Sequence, residues 1–420
     1  MQNMIEKLKF NSLTFNLRKQ VLFGVDSTEL YFVKVQVVKN PNKRNDIAQE
    51  YKIMKHLNSM ECVTCPIAFE YGKASGSFVY DLCEQKGVLD SMPTTDYFEY
   101  ILQQFVPSKN GYNLSDILMS VIEQQSLGIY HGDIKPDNVR FHNNICYLID
   151  YDQAMWLDKP TQNYDVNDFV NFCSNHYSKK YCSGDPQNFL SRIKTKAEVS
   201  PLLVAGALDL GKTTIFKSQR TTNSPSGLYQ NILEKKIIAN GTRLLDKRIE
   251  LLKDIKFNGC EKVLDVGCNF GMLSCYLYDR GCNVTGIDND ADVIRAAKIV
   301  SNIIGKKVNY QCLDLDDAQE IEAYDTIFLF SVLHHTKNVE LNAMKIARSC
   351  KRIIFEVKPH ETGKQFIDGR WRGVNEWNFK DVDSLVEYLE KIFYGFKLTK
   401  VLGVSDKNRY MLEFKKETEK

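Results

Sequence analysis

The sequence predicts two successive domains, an α+β bilobal one followed by an α/β one of doubly wound type. Three observations carry this. At 420 residues the chain exceeds what one core holds, since single cores stop growing at roughly 250 to 300 residues. Before residue 40, short runs alternate apolar and polar positions, and helical patterns follow. From Lys262 onward, strand and helix patterns alternate, which argues for a parallel sheet with ligands at the carboxyl ends of its strands. The expected division is 1–195 for the first domain, 196–224 for a linker and 225–420 for the second.

The elements follow in order. Leu30-Tyr31-Phe32-Val33-Lys34-Val35 typifies the antiparallel strands expected over 9–38. Asp46 to Leu57 has helical spacing, as does Ser115 to Leu127, for which Ser115 is the expected N-cap. A strand returns at Ile145 to Ile149. Between Pro186 and Lys256 the pattern is mixed, with Thr221 to Gly227 as its clearest loop. Beyond it, strands are expected at Lys262–Val266, Asn283–Ile287, Asn309–Leu313, Thr326–Ser331 and Arg352–Val357, with helices at Met272–Arg280 and Ala291–Ile303.

Composition narrows the function classes. With 43% hydrophobic and 26% charged residues, the chain suits packed cores. Net charge is +2, from 21 basic against 23 acidic side chains in residues 1–200 and 34 against 30 beyond, so no nucleic-acid partner is expected. The twelve cysteines are scattered, and Cys62-x-x-Cys65 stands without a second pair, which points to reduced thiols rather than zinc. The first residues lack a signal-peptide apolar core, and no apolar run approaches bilayer length. A cytoplasmic protein is expected, with peripheral membrane contact left open.

The most specific string is His131-Gly132-Asp133-Ile134-Lys135-Pro136-Asp137-Asn138, followed by Leu148-Ile149-Asp150. Phosphoryl transfer needs a base to orient the attacking hydroxyl, ligands for the metal that bridges nucleotide phosphates, and a lysine held against them. Asp133 fits the base, Asn138 and Asp150 fit the metal positions, and Lys135 can neutralise the transferring group. The string resembles the catalytic loop of the protein-kinase-like superfamily, with the likeness running over residues 9–195. That resemblance implies ATP and Mg2+, and makes Lys34 the strand lysine that meets ATP phosphates, with Glu50 as its helical partner. A plainly solvated Lys34 is the alternative. The chain departs from the family in three places. Gly24 is the only glycine before Lys34, Gly132 stands where arginine is usual, and Asp150-Tyr151-Asp152 replaces Asp-Phe-Gly. Asp165, resembling the aspartate of the family's next helix, comes only fifteen residues after Asp150, which leaves little room for a peptide platform. A glycan or small-molecule acceptor is expected instead.

A second string, Val263-Leu264-Asp265-Val266-Gly267-Cys268-Asn269-Phe270-Gly271, ends a strand in a glycine-bearing turn. Asp288 ends the next strand, Asp314 the third, and Ser331-Val332-Leu333-His334-His335 the fourth. The turn alone would equally suit a dinucleotide-binding domain. The four together resemble class I S-adenosylmethionine (SAM)-dependent methyltransferases of Rossmann-like fold, over residues 225–415. The resemblance implies that Asp265, Gly267 and Gly271 form the cofactor turn, that Asp288 grips the ribose, and that Asp314 meets the adenine. It puts His334 and His335 near the reacting methyl, as catalytic or merely packed residues. Arg370, Trp371 and Arg372 are candidates for an anionic or sugar substrate, or a solvated loop.

Gly206-Ala207-Leu208-Asp209-Leu210-Gly211-Lys212-Thr213 also fits a P-loop, but no room remains for that fold's sheet, so a linker is expected. Joined, the two domains resemble the bifunctional kinase-methyltransferases that terminate O-antigen polysaccharides, with the domain order reversed. The alternative is a methyltransferase with a regulatory, nucleotide-binding or inactive kinase-like domain.

Overall fold

The structure is a computed structural model that describes residues 4–16, 21–37, 44, 46–85, 93–107, 112–143, 145–158, 182–183, 228–233, 237–239, 241–243, 245–367 and 370–417. The chain divides into two compact units, Met1–Leu208 and Asp209–Lys420. Asp165, the P-loop-like segment 206–213, the linker 196–224 and the loop 221–227 lie outside the described residues.

In the first unit, strands β1 (Phe10–Asn16), β2 (Val21–Asp26), β3 (Tyr31–Gln36), β4 (Ala68–Ser75) and β5 (Tyr97–Gln104) form an antiparallel sheet of order β1-β2-β3-β5-β4. The two-residue period of β3 sends Val33 and Val35 into an apolar core with Leu22, Phe98, Tyr100 and Leu102. It sends Lys34 to the opposite face. Helix α1 (Ile47–Ser59) buries Ile47, Glu50, Ile53, Met54 and Leu57, which recur at helical spacing on one stripe. Asp46 caps it, accepting from the Gln49 N–H at 2.9 Å. Helix α2 spans Gly76–Gln85 and α3 spans Leu114–Ser126. Because α3 starts at Leu114, directly after a short strand at Tyr112–Asn113, Ser115 lies inside its first turn and does not cap it. A hairpin of β6 (Val139–His142) and β7 (Ile145–Leu148) carries the chain to Asp150. Gly24 is a packing glycine: a Cβ there would lie 2.8 Å from Leu13 and 2.9 Å from Val33.

In the second unit, short strands at Leu228–Gln230, Ile232–Leu233, Ile237–Ala239 and Gly241–Arg243 precede helix α4 (Asp246–Leu252). It continues through β8 (Lys262–Val266), α5 (Met272–Asp279), β9 (Asn283–Asp288), α6 (Ala291–Ile303), β10 (Asn309–Cys312), β11 (Thr326–Phe330), α7 (Val339–Ser349) and β12 (Arg352–Val357). A hairpin of β13 (His360–Ile367) and β14 (Arg370–Asn378) follows, then α8 (Val382–Ile392), β15 (Phe396–Val404) and β16 (Tyr410–Lys416). The seven-stranded sheet has the order β10-β9-β8-β11-β12-β16-β15. Five strands are parallel, and β16 joins antiparallel to both β12 and β15. The central parallel strands are buried, as in β11, where every residue is buried, because helices cover both faces, whereas the edge strand β10 buries only Tyr310. Three of these helices carry side-chain caps. Asp290 caps α6 through the Asp292 and Val293 N–H groups, Asn338 caps α7, and Asp381 with Ser384 forms a capping box on α8. Among the described residues no helix is long and apolar enough to cross a membrane.

Candidate functional site

In the first unit, Lys34 is 4% exposed and its ammonium binds Glu50 at 2.6 Å and Asp150 at 2.8 Å. A lysine on a solvated strand would do neither. Burial opposes its charge, but the carboxylates of Asp150 and Glu50 outweigh burial and raise its pKa. Glu50 is also raised, by burial first and by Asp150, against the pull of Lys34. Asp150 sits at φ +67° in the left-handed region, which is costly for a non-glycine residue and gathers at functional sites. The next residue holds it there: the Tyr151 N–H donates to Glu50 at 3.2 Å, and the Tyr151 hydroxyl donates to the Leu148 carbonyl while accepting from Gln124.

Residues of the string from His131 to Asn138 gather around this triad. His131 is fully buried, its Nε2 lies 3.1 Å from the Ile149 carbonyl, and burial pushes its pKa down to about 4, so the ring is a neutral spacer. Gly132 has φ +75°, and a Cβ there would come within 2.6 Å of the Gln153 carbonyl. This is why no arginine fits. The Asn138 amide donates to the Asp133 carboxylate at 2.8 Å and to the Asp133 carbonyl at 2.9 Å, and Lys135 pairs with the same carboxylate. Carboxylate oxygens of Asp133, Asp150 and Asp152 lie within 4.8 Å of one another, a separation that one divalent cation can bridge. Asp152 is 4% exposed and was absent from the expected ligand set, although Asp150-Tyr151-Asp152 displays it.

In the second unit, β8 ends in the turn from Gly267 to Gly271. Both glycines have positive φ, and the space each frees is filled from within the fold. A Cβ on Gly267 would lie 2.4 Å from Val332, and one on Gly271 would lie 2.0 Å from the Tyr310 hydroxyl. Close packing is thus a reason for both glycines beside cofactor approach. Asn269 between them takes φ +52° and donates its N–H to Asp288 at 3.2 Å. Asp288 also accepts from the Asp290 N–H at 3.2 Å, and burial raises its pKa to about 6. Asp265, expected as part of the cofactor turn, is 2% exposed and accepts from Ser274 Oγ at 2.6 Å, so it buttresses the start of α5 from inside. Burial lifts its pKa to about 7. Asp314 is half-buried, accepting from the Asp316 N–H at 2.9 Å and from Asn289 at 3.2 Å, which ties the third strand end to the residue after Asp288.

His334 is enclosed by its neighbours. It is 1% exposed, lies between His335 and Trp377 with ring centroids at 4.2 Å and 5.7 Å, and is pushed down to about pKa 2 by burial, then by His335. A neutral, packed ring of this kind cannot take a proton near neutral pH. His335 is half-buried, its Nδ1 stands 2.9 Å from the Lys364 backbone, and burial lowers its pKa too. Arg372 is exposed on β14, and the side chains of Arg370 and Trp371 lie outside the described residues. The sequence reading missed Glu356, which is fully buried at the end of β12. It accepts from Arg248 Nε at 2.9 Å and Ser331 at 3.1 Å, and also from Ser405. A charged residue inside Ile353-Ile354-Phe355-Glu356-Val357 was the available signal.

Residues 264–352 match a family model described as a methyltransferase domain. The ubiquinone biosynthesis O-methyltransferase of Idiomarina loihiensis is 29% identical over 119 residues, covering 28% of this chain and 45% of that protein. The enzyme of that name from Hydrogenovibrio crunogenus is 38% identical over 90 residues, covering 21% and 37%, and the one from Nitrobacter winogradskyi is 29% identical over 157 residues, covering 34% and 59%. The chain thus spans between 37% and 59% of the length of these relatives. Among solved structures, magnesium protoporphyrin IX methyltransferase from Synechocystis PCC 6803 with bound SAH is 19% identical, at a TM-score of 0.33, covering 41% of this chain and 82% of that one. A SAM-dependent methyltransferase from Mesorhizobium loti is 14% identical at a TM-score of 0.30, covering 40% and 96%. The C-terminal region carries a class I SAM-dependent methyltransferase domain of Rossmann-like fold.

Proposed function

We propose that this chain is a SAM-dependent O-methyltransferase whose first unit is an ATP- and Mg2+-dependent phosphotransferase, acting on a glycan or other small-molecule acceptor. The Asp288 carboxylate, at the carboxyl end of β9 beside the turn from Gly267 to Gly271, carries the methyltransferase assignment. A ribose diol needs an acceptor of hydrogen bonds there, and Asp288 supplies it. SAM supplies an activated methyl on its sulfonium. The chain's part is to hold an acceptor oxygen in line with that methyl and to exclude water. Neither histidine is suited to strong base work, so an acceptor oxygen that is already anionic suits the site better than a sugar hydroxyl.

The Lys34–Glu50–Asp150 triad supports the phosphotransferase assignment, because it costs desolvation of three charges and has no packing purpose that apolar residues would not serve better. Asp150, Asp152 and Asn138 would hold Mg2+, Lys34 would meet the ATP phosphates, and Asp133 would orient the attacking hydroxyl. A second reading, a regulatory nucleotide-binding unit, is favoured by one observation. Gly24 is consumed by packing, so no glycine-rich cover for the phosphates precedes Lys34. Phosphate transfer from Mg-ATP to saccharide acceptors, lost in Asp133→Ala, decides between them. Calorimetry tests the methyltransferase assignment: SAM binds the whole protein and binds Asp288→Ala about 1.5 to 3 kcal/mol more weakly, the scale of a lost charged hydrogen bond. Tight NAD binding with no SAM binding would overturn it.

A further inference from the structure

The sheet order places β8 between β9 and β11, and the chain crosses from one side of β8 to the other after β10. The carboxyl ends of β8 and β11 therefore border the crevice in which ligands of such sheets lie. One wall is the turn from Gly267 to Gly271. The other is the corner Ser331-Val332 that leaves β11, and the two walls touch, since a Cβ on Gly267 would lie 2.4 Å from a methyl carbon of Val332.

Ser331 takes φ +56°, in the left-handed region. A glycine would adopt that backbone without strain, so what serine adds at the corner is its hydroxyl. The hydroxyl donates to Glu356 Oε2 at 3.1 Å, and the Ser331 N–H donates to the Glu356 carbonyl at 2.8 Å. Glu356 is fully buried. Each of its carboxylate oxygens accepts from Arg248 and from one serine, Ser405 on Oε1 and Ser331 on Oε2. Burial works against the charge, but Arg248 and then Ser405 outweigh it and hold the pKa below its ordinary value. The same guanidinium acts on Asp265 in β8: burial raises that carboxyl, while Ser274 and then Arg248 pull against it. A buried polar belt thus joins β8, β11 and β12 through α4. Apolar residues of the same volume often hold a core as well or better, so the belt calls for a purpose other than stability. Ser331 is the member that sets the second wall.

We propose that Ser331 is a positioning residue for SAM: anchored on the Glu356 carboxylate, its hydroxyl fixes the corner that faces the Gly267 turn, and cofactor affinity depends on that anchor. This rests on the methyltransferase reading above. Asp288 ends β9 on one side of the turn and Ser331 follows β11 on the other, so a cofactor whose ribose meets Asp288 has this corner as the far wall of its site.

The test compares three variants of the whole protein, with SAM and SAH affinity read by calorimetry and melting temperature read without ligand. Ser331→Gly loses the hydroxyl and relieves the backbone, whereas Ser331→Ala loses the hydroxyl and keeps the strain. Both bind SAM and SAH roughly three- to tenfold more weakly than the native protein, the scale of one hydrogen bond, although Ser331→Gly melts higher than Ser331→Ala. Ser405→Ala removes a hydroxyl from the same carboxylate on the side of β12 away from the turn, and it lowers the melting temperature while leaving both affinities native. A merely structural Ser331 gives another pattern, in which affinity follows melting temperature and Ser331→Gly binds as the native protein does. That result overturns the proposal, and so do equal losses of affinity in Ser331→Ala and Ser405→Ala. If Ser331→Ala does not fold, Ser331→Gly decides alone. Native protein that binds neither SAM nor SAH defeats the methyltransferase reading instead, and the first titration shows it.

Discussion

Lys34 is where the first unit is most exposed to a single change. Lys34→Ala would leave Glu50 and Asp150 as like charges in a buried pocket, and breaking a buried pair in this way costs about 3 to 5 kcal/mol. Lys34→Met combined with Glu50→Gln should cost distinctly less, and urea denaturation compares the two. Asp288 sets a pH dependence for the cofactor. Its folded pKa is raised to about 6, and the ribose favours the ionised carboxylate, so SAM affinity should rise as pH increases through 6. Calorimetry from pH 5 to 8 checks this, with Asp288→Asn weak and flat. His131 acts on stability with a definite sign. Its pKa is lowered from 6.5 to about 4, so the unfolded chain takes up a proton that the folded chain refuses. Stability that is complete above pH 6.5 is therefore lost as pH falls toward 4, and His131→Phe, if it folds, should flatten that part of the curve.

At the level of elements, Gly271 separates two explanations of its turn. With φ +73° and the Tyr310 hydroxyl in its side-chain space, Gly271→Ala should lower the melting temperature and weaken SAM binding together. Adding Tyr310→Phe should restore part of the stability, since it removes the nearest atom, but not the strain of the left-handed backbone, about 1 to 2 kcal/mol. The parallel strands from Lys262 to Val357 and helices α5 and α6 were legible because their apolar runs and caps are local properties, and their ends agree within a residue. The β13–β14 hairpin was not. His360 to Asn378 carries charges and amides on both faces and has no apolar alternation, so only its pairing makes it a strand pair. The sites follow the same division. Asp133, Asn138, Asp150 and Asp288 stand in strings whose spacing displays them. Arg248, Glu356 and Ser405 are far apart in sequence, and only the fold makes them neighbours. The burial of His334 was hidden for the opposite reason: its position in the string is informative, but solvent access is decided by Trp377 on a hairpin the sequence did not display.

For the whole molecule, the two chemistries proposed for this chain would have meaning together if the product of the first feeds the second. On the proposed reading, a phosphorylated acceptor leaving the first unit would be at raised local concentration for the second, provided it rebinds before diffusing away. Glycan acceptor and labelled SAM should therefore give labelled product only when ATP is present, and Asp133→Ala should abolish it. Equal labelling without ATP would leave plain hydroxyl methylation. Glu356 sets a practical limit on taking this molecule apart. One buried carboxylate ties Arg248 on α4, ahead of the sheet, to Ser331 at its centre and Ser405 before its last strand. Any fragment made to study methyl transfer alone must begin before Arg248 and run past Ser405. A shorter piece would carry a stranded negative charge in its core, and its failure to fold would say nothing about the chemistry it was made to test.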